Sequence, residues 1–187
     1  VGREIEQFFP SDRSIPGEEV LRLESIEQAG KLHNINLSLR RGEIVGLTGL
    51  VGAGRTELAR VIFGAEPADS GKIYLGGKPV RFRSPRQAID AGIGLLTEDR
   101  KSQGLVLGMM VRENTTMANL SRLVRRGFVD VRSEREVTLG YIRNLLIKTP
   151  STEQKVRNLS GGTQQKVVLS KWLFTQSKVL IFDEPTR

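Results

Sequence analysis

The stretch "GLVGAGRTE" at residues 49–57 constrains this chain more than any other part of it. "EIVGLTG" (43–49) reads as a strand and "RTELARVIFG" (55–64) as a helix ending at Gly64. A strand, a glycine loop and a helix in direct succession need a backbone that curls tightly, which glycine permits. Successive N–H groups then point inward and can cradle phosphate oxygens, with the positive end of the helix behind them. Gly49, Gly52, Ala53, Gly54, Arg55, Thr56 and Glu57 are therefore candidate anion-binding residues, with the Thr56 hydroxyl available to Mg²⁺. A tight turn with no ligand reads the same from these residues alone. Two positions depart from the usual phosphate loop: Arg55 stands where lysine is normal, and Glu57 follows where a second hydroxyl is common.

A second motif lies near the other end. "VLIFD" (179–183) is an apolar run closing in acid, which suits a buried parallel strand. Such a strand holds Asp183 and Glu184 at its C-terminal end, where ligands bind in open α/β sheets. Asp183 can hold Mg²⁺, directly or through water, and Glu184 can polarise the water that attacks a γ-phosphate. An apolar strand followed by two acids is common, so alone it says little.

The rest of the chain fills in between. "VLRLESI" (20–26) and "INLSLRRGEIVGLTG" (35–49) alternate apolar and polar residues and read as strands. "GKIYLGGKPVRF" (71–82) reads as a hairpin turning at Gly76-Gly77. Ser84-Pro85 fits an N-cap and first helical residue, and "IGLLT" (93–97) is a short apolar strand. Residues 111–148 read as largely helical. Trp172, Leu169 and Leu173 sit at helical spacing and read as core. Residues 1–19, with Pro10, Pro16 and Gly17, read as a linker or inter-domain junction, and 20–187 as one domain.

Composition narrows the chemistry. With 187 residues the chain can bury a sizeable core. There are no cysteines, so disulfides and thiol catalysis are out, and the single histidine, His33, rules against a histidine-rich metal site. His33 reads as a surface or turn residue. No stretch approaches the roughly 20 apolar residues of a membrane span. The net charge of +8 suits an anionic partner, or only a basic solvated surface.

The stretch "LSGGTQQKVVLSKWL" (159–173) ties the motifs together. Ser160, Gly161 and Gly162 open a helix, presenting N–H groups and a hydroxyl that suit phosphate, although an ordinary serine cap looks alike. The stretch resembles the signature motif of ABC-type ATPases. With "GEIVGLTGLVGAGRTEL", "GLLTEDRKSQGLVLGMMVREN" and "KVLIFDEPTR" it is similar to the second ATPase domain of tandem ABC proteins that drive bacterial monosaccharide import, the ribose, galactose and xylose systems being the nearest group. The likeness covers nearly the whole chain.

That resemblance implies an α/β P-loop NTPase fold of ABC type: a parallel-sheet core, an antiparallel β region, and a helical subdomain over roughly residues 100–165. It implies ATP and Mg²⁺ as cofactors, Glu184 as the catalytic carboxylate, and Thr56, Asp183 and Glu98 around the metal. Glu98 stands where the family senses Mg²⁺ with glutamine. Ser160, Gly161, Gly162 and Gln164 would reach the nucleotide held by an opposing domain. The short segment "EQAGKLHN" (27–34) lacks the aromatic that usually stacks on adenine. The family's D-loop and switch histidine are expected beyond Arg187, which makes the chain an incomplete fold. Expected partners are transmembrane permease subunits, the other ATPase domain of the tandem protein and, indirectly, a periplasmic sugar-binding protein. The location implied is peripheral, on the cytoplasmic face of the inner membrane. Nucleic acid is not expected. Two other readings stay open: an ABC ATPase acting on nucleic acid or ribosomes, and a non-catalytic regulatory nucleotide binder.

Overall fold

The computed structural model describes residues 16–184. Most of the linker read over residues 1–19, and everything after Glu184, lie outside them. Strands β1 (Glu19–Gln28) and β2 (Leu32–Arg40) form a hairpin, and β1 pairs on its other edge with β3 (Ser70–Leu75), which pairs with β4 (Lys78–Val80). All pairings in this four-stranded sheet, ordered β2-β1-β3-β4, are antiparallel. The alternation of β1 buries Leu21 and Leu23, then slips by one residue at Ser25 (φ 47) so that Ile26 returns to the buried side. Such a bulge keeps a long strand's apolar face toward the core. On the other side Arg22 lies between Glu19 and Glu24 and stacks 4.1 Å from the Tyr74 ring centroid. The β3–β4 turn is at Gly76 and Gly77, both with positive φ, as the hairpin reading requires.

Helix α1 (Arg55–Ile62) buries Leu58, Ala59, Val61 and Ile62. Helix α2 (Pro85–Ala91) starts at Ser84 with Pro85 at its first position, and strand β5 (Ile93–Leu96) is buried throughout. A single π-type turn spans Arg100–Gly104. Helix α3 (Val111–Thr116) runs into a 3-10 segment (Met117–Leu123). Then comes a two-stranded hairpin, β6 (Val124–Arg125) and β7 (Phe128–Val129), and helix α4 (Val131–Asn144). The expected helical run over 111–148 is thus broken. Positive φ at Arg126 and Gly127 makes a tight turn, and the Asp130 side chain caps α4 by accepting from Arg132 N and Ser133 N. A short 3-10 turn (Val156–Asn158) precedes helix α5 (Gly161–Phe174), and strand β8 (Val179–Phe182) follows.

β8 pairs with β5 in parallel register, Ile93 opposite Val179 and Leu96 opposite Phe182. α5 packs on this pair. Trp172 meets the Phe63 ring edge-on at 5.6 Å between centroids, joining α5 to the end of α1. Gly94 leaves no room for a methyl: one built there would lie 2.9 Å from Leu180 and 3.1 Å from Trp172.

Two strand expectations need correction. The segment 43–49 forms no strand; Ile44 is 97% exposed, and no strand pairs with it among the described residues. A strand exists only by pairing, so apolar alternation alone does not make one. β8 is buried less than its sequence suggests: Val179 is buried but Phe182 is half exposed. The two segments border a groove of about 750 Å³, whose lining includes Leu37, Leu39, Ile44 and Ile181.

Candidate functional site

Parallel pairing of β5 and β8 brings two chain ends to one side. Asp183 N donates to Leu96 O at 2.9 Å, so Thr97-Glu98 and Asp183-Glu184 leave adjacent strands together. α1 approaches from the third direction. Arg55 Nη2 lies 3.3 Å from Glu184 Oε1, across 129 residues of sequence. The phosphate-loop cation and the candidate catalytic carboxylate therefore meet. Arg55, Asp183 and Glu184 line one groove, together with apolar residues such as Leu37 and Ile181 and the basic side chains of Arg40, Arg41 and Lys178.

The loop itself is open. Gly52 and Gly54 both have φ 82, a conformation that favours glycine, and a methyl built on Gly52 would meet nothing within 4 Å. Gly54 is hemmed in, 2.8 Å from Lys31 O and 2.9 Å from Leu32 in the same test, so the β1–β2 turn fixes where α1 begins. No side chain caps that start. Its first-turn N–H groups and positive end face outward with Arg55, Thr56 and Glu57, each partly exposed. Gly49 packs closely on Ala53, which donates to Leu50 O at 3.1 Å. The open space at Gly52 and the uncapped start of α1 leave room for an anion such as a phosphate. Thr56, Asp183 and Glu98 supply only oxygen ligands, the set Mg²⁺ takes alongside phosphate and water. Among the described residues no group of three or more His, Cys, Asp or Glu side chains is arranged to hold a metal ion by itself.

The second candidate region is the start of α5. Ser160 takes an extended backbone, accepts from Thr163 N at 3.4 Å and contacts Thr163 Oγ1 at 2.9 Å. Ser160 and Gly162 are exposed, and a methyl on Gly162 would meet nothing within 4 Å. Gln164 is 4% exposed and donates to Val156 O at 3.1 Å, so it braces the preceding turn. His33 is 77% exposed on β2, 3.7 Å from Glu27, as a surface histidine should be.

Three residues in and around this site went unread in the sequence. Asp99 is the cap of the 100–104 turn, accepting from Lys101 N, Ser102 N and Ser102 Oγ, and these bonds, led by Ser102, hold its carboxyl below the usual range. The Asp99…Ser102 spacing carried that signal. Arg100 lies against the signature: a methyl on Gly161 would sit 2.7 Å from its Nη2. Lys171 is buried, donates to Gly104 O at 2.6 Å and lies 4.9 Å from the Trp172 ring; burial pushes its ammonium down to about 8. A lone charge inside "VVLSKWLF" was its signal. These contacts tie the loop carrying Glu98 to both ends of α5.

Comparison with known proteins gives the family and the fold. The ABC transporter family matches residues 32–187. The ribose import ATP-binding protein RbsA of Geobacillus kaustophilus (strain HTA426) is 51% identical over the whole chain, which covers 38% of that protein. A putative ribose/galactose/methyl galactoside import ATP-binding protein of Agrobacterium fabrum (strain C58) is 50% identical, again over the whole chain and 37% of its own length. The chain thus spans well under half the length of these curated relatives. Among solved structures, a nucleotide-free ATP-binding cassette from an ABC transporter superposes with a TM-score of 0.73 at 24% identity, over 91% of this chain and 70% of that one. A dimeric cassette in a post-hydrolysis state with ADP and Pi gives 0.73 at 20% identity, over 89% and 74%. At these identities the likeness is one of fold.

Proposed function

The chain belongs to the ABC transporter family, and from that premise we propose that it is the second ATPase domain of a tandem importer of a monosaccharide of the ribose/galactose class. In this reading residues 20–187 belong to the ATPase domain, and roughly 100–165 form its helical subdomain. The observation that carries the site is the meeting of Arg55 with Glu184, which joins the phosphate loop to the carboxylate pair.

Bound ATP with Mg²⁺ supplies the γ-phosphoryl group and the metal's neutralising charge. The loop N–H groups of Gly52, Gly54 and Arg55 would hold phosphate oxygens, while that of Ala53 is given to Leu50 O. Thr56, Asp183 and Glu98 offer oxygens on the metal side, and Glu184 accepts the proton of the attacking water at its carboxylate. The altered loop weakens this chemistry. Arginine is a longer, planar cation that does not reproduce lysine's point charge between β- and γ-phosphates. Loss of one such donor costs roughly 3 kcal/mol at a transition state, by analogy with oxyanion-hole deletions. We therefore assign the chain a site that binds nucleotide and hydrolyses slowly. Its stronger contribution is the signature at Ser160–Gly162, which completes the site of the first domain. Closure over the two sites is passed to permease subunits on the cytoplasmic face of the membrane, and a separate sugar-binding protein delivers the substrate.

A second reading, a regulatory site that binds without turnover, is favoured by the same Arg55–Glu184 contact. Phosphate release by the isolated chain separates the two from a fully competent ATPase. We expect saturable ATP binding at millimolar concentration with release near background. Robust turnover abolished by Glu184→Gln would overturn the reading of the site as impaired.

A further inference from the structure

We propose that Arg55 is a positioning residue that holds the Glu184 carboxylate while the loop is empty, so that anion binding at the loop and release of Glu184 are one linked event. This rests on the nucleotide-site reading above and goes beyond it.

The geometry is specific. Arg55 opens α1, where its guanidinium has two anionic claimants: a phosphate in the loop at its own helix start, and Glu184 at the end of β8. The structure records the second contact, 3.3 Å between Nη2 and Oε1, with the side chains 32% and 30% exposed. Glu184 has φ 45, a conformation uncommon for a non-glycine residue, and it is this backbone that places the carboxylate at the loop. The pair is relieved by a better anion. A phosphate offers more charge and also takes the loop N–H groups, which Glu184 does not. Holding both anions on one guanidinium sets like charges side by side, which is unfavourable. The occupied loop therefore turns Arg55 away from Glu184, and the carboxylate is delivered to the water side only when nucleotide is present. The pair is about two-thirds buried, so the linkage is modest. Pairs of this exposure are worth up to about 1 kcal/mol, a factor of about five in affinity.

The test is a double-mutant cycle on this chain, read as the dissociation constant of a fluorescent ADP analogue with Mg²⁺. Glu184→Gln removes the competing charge while keeping the shape, and should tighten binding about two- to fivefold. In an Arg55→Met background the same change should have almost no effect, because there is no cation left to release. Arg55→Lys is a second background that keeps the charge with a shorter, non-planar head; there too the effect of Glu184→Gln should shrink. Equal tightening in every background would mean that Glu184 simply repels phosphate, and would overturn the inference. So would binding that ignores Glu184→Gln in the parent chain. If none of the folded proteins binds ADP at millimolar concentration, the nucleotide-site reading itself falls and the inference with it. Binding without coupling sinks the inference alone.

Discussion

Helices α1 and α5 begin in opposite ways. α1 starts from Gly54 in a left-handed conformation, with no side-chain cap, after a segment in which Ile44, Leu50 and Val51 are 86–97% exposed. α5 starts from an extended Ser160 whose own hydroxyl caps it, and it is buried on most sides through Val167, Val168, Trp172 and Phe174. One start is set by neighbours a few residues away and by the core beneath it. The other has no side-chain cap and is placed by Gly54 against the β1–β2 turn, by the Arg55–Glu184 contact and by the buried face of α1. The difference says where substitutions should be felt.

The largest contrast is in stability. Trp172→Ala removes a ring that is 6% exposed and packed on Phe63, and should cost about 3–5 kcal/mol in urea denaturation. Val51→Ala, at 93% exposure, should stay within about 0.5 kcal/mol. A large loss at Val51 would mean that the loop segment is buried in the folded protein, and the contrast drawn here would go.

In a full-length importer carrying this domain with its membrane subunits, Ser160→Arg should cut substrate uptake about tenfold or more. On the function proposed above, it would drive a charged chain into the space where the Ser160 hydroxyl and nearby N–H groups would face a phosphate of the opposing site. Arg55→Ala should damage only the altered loop and leave the larger share of uptake. Equal severity at matched expression would break the unequal division between the two regions.

A smaller effect belongs to the region around α3 and α4. Arg112 joins Glu153 at 2.9 Å and Glu134, while Arg135 joins Glu153 at 2.8 Å. The Arg112 and Arg135 guanidinium groups hold the Glu153 carboxyl down to about 2. A lowered carboxylate stabilises the fold above its ordinary value of 4.5 and loses that contribution as pH falls toward 2. The urea midpoint should therefore drop between pH 5 and pH 2 by less in Glu153→Gln than in the parent chain. Equal slopes would remove Glu153 from the account.

How much of this could be read from the residues depends on how local each cause is. Ser84-Pro85, Gly76-Gly77 and the Ser160 cap act within a few residues and were legible. So were β5 and β8 as short apolar runs. The segment 43–49 has the pattern of a strand, but pairing is decided by neighbours far away in sequence, and the pattern does not carry them. The bulge at Ser25 rests on a positive-φ serine that gives no compositional warning, and the 124–129 hairpin turns on Arg126 and Gly127, of which only the glycine is a turn signal. At the site, the loop and the carboxylates were legible as motifs, while the Arg55–Glu184 contact across 129 residues was not. Lys171 and Asp99 show that charges within a motif can serve the scaffold rather than the ligand.

The smallest predicted effect tests the character of the α1 start directly. Glu57 lies in the first turn of a helix that has no side-chain cap, so its charge is the nearby complement to the helix's positive end. The same charge stands beside the loop and opposes any phosphate there. Glu57→Gln should therefore push two observables in opposite directions: stability should fall by about 0.3–1 kcal/mol at low salt, and affinity for ADP should rise. Both shifts should shrink together as ionic strength is raised from about 10 mM to about 1 M, because the residue is partly exposed and its field is screened over a few ångströms at the higher salt. Ser160→Ala makes the matching change at α5, where a lost cap costs about 1 kcal/mol through a hydrogen bond rather than through long-range charge. Its effect should be nearly independent of salt. If Glu57→Gln lowers both stability and affinity, Glu57 is bracing the loop rather than opposing the ligand, and the α1 start is as structurally fixed as that of α5.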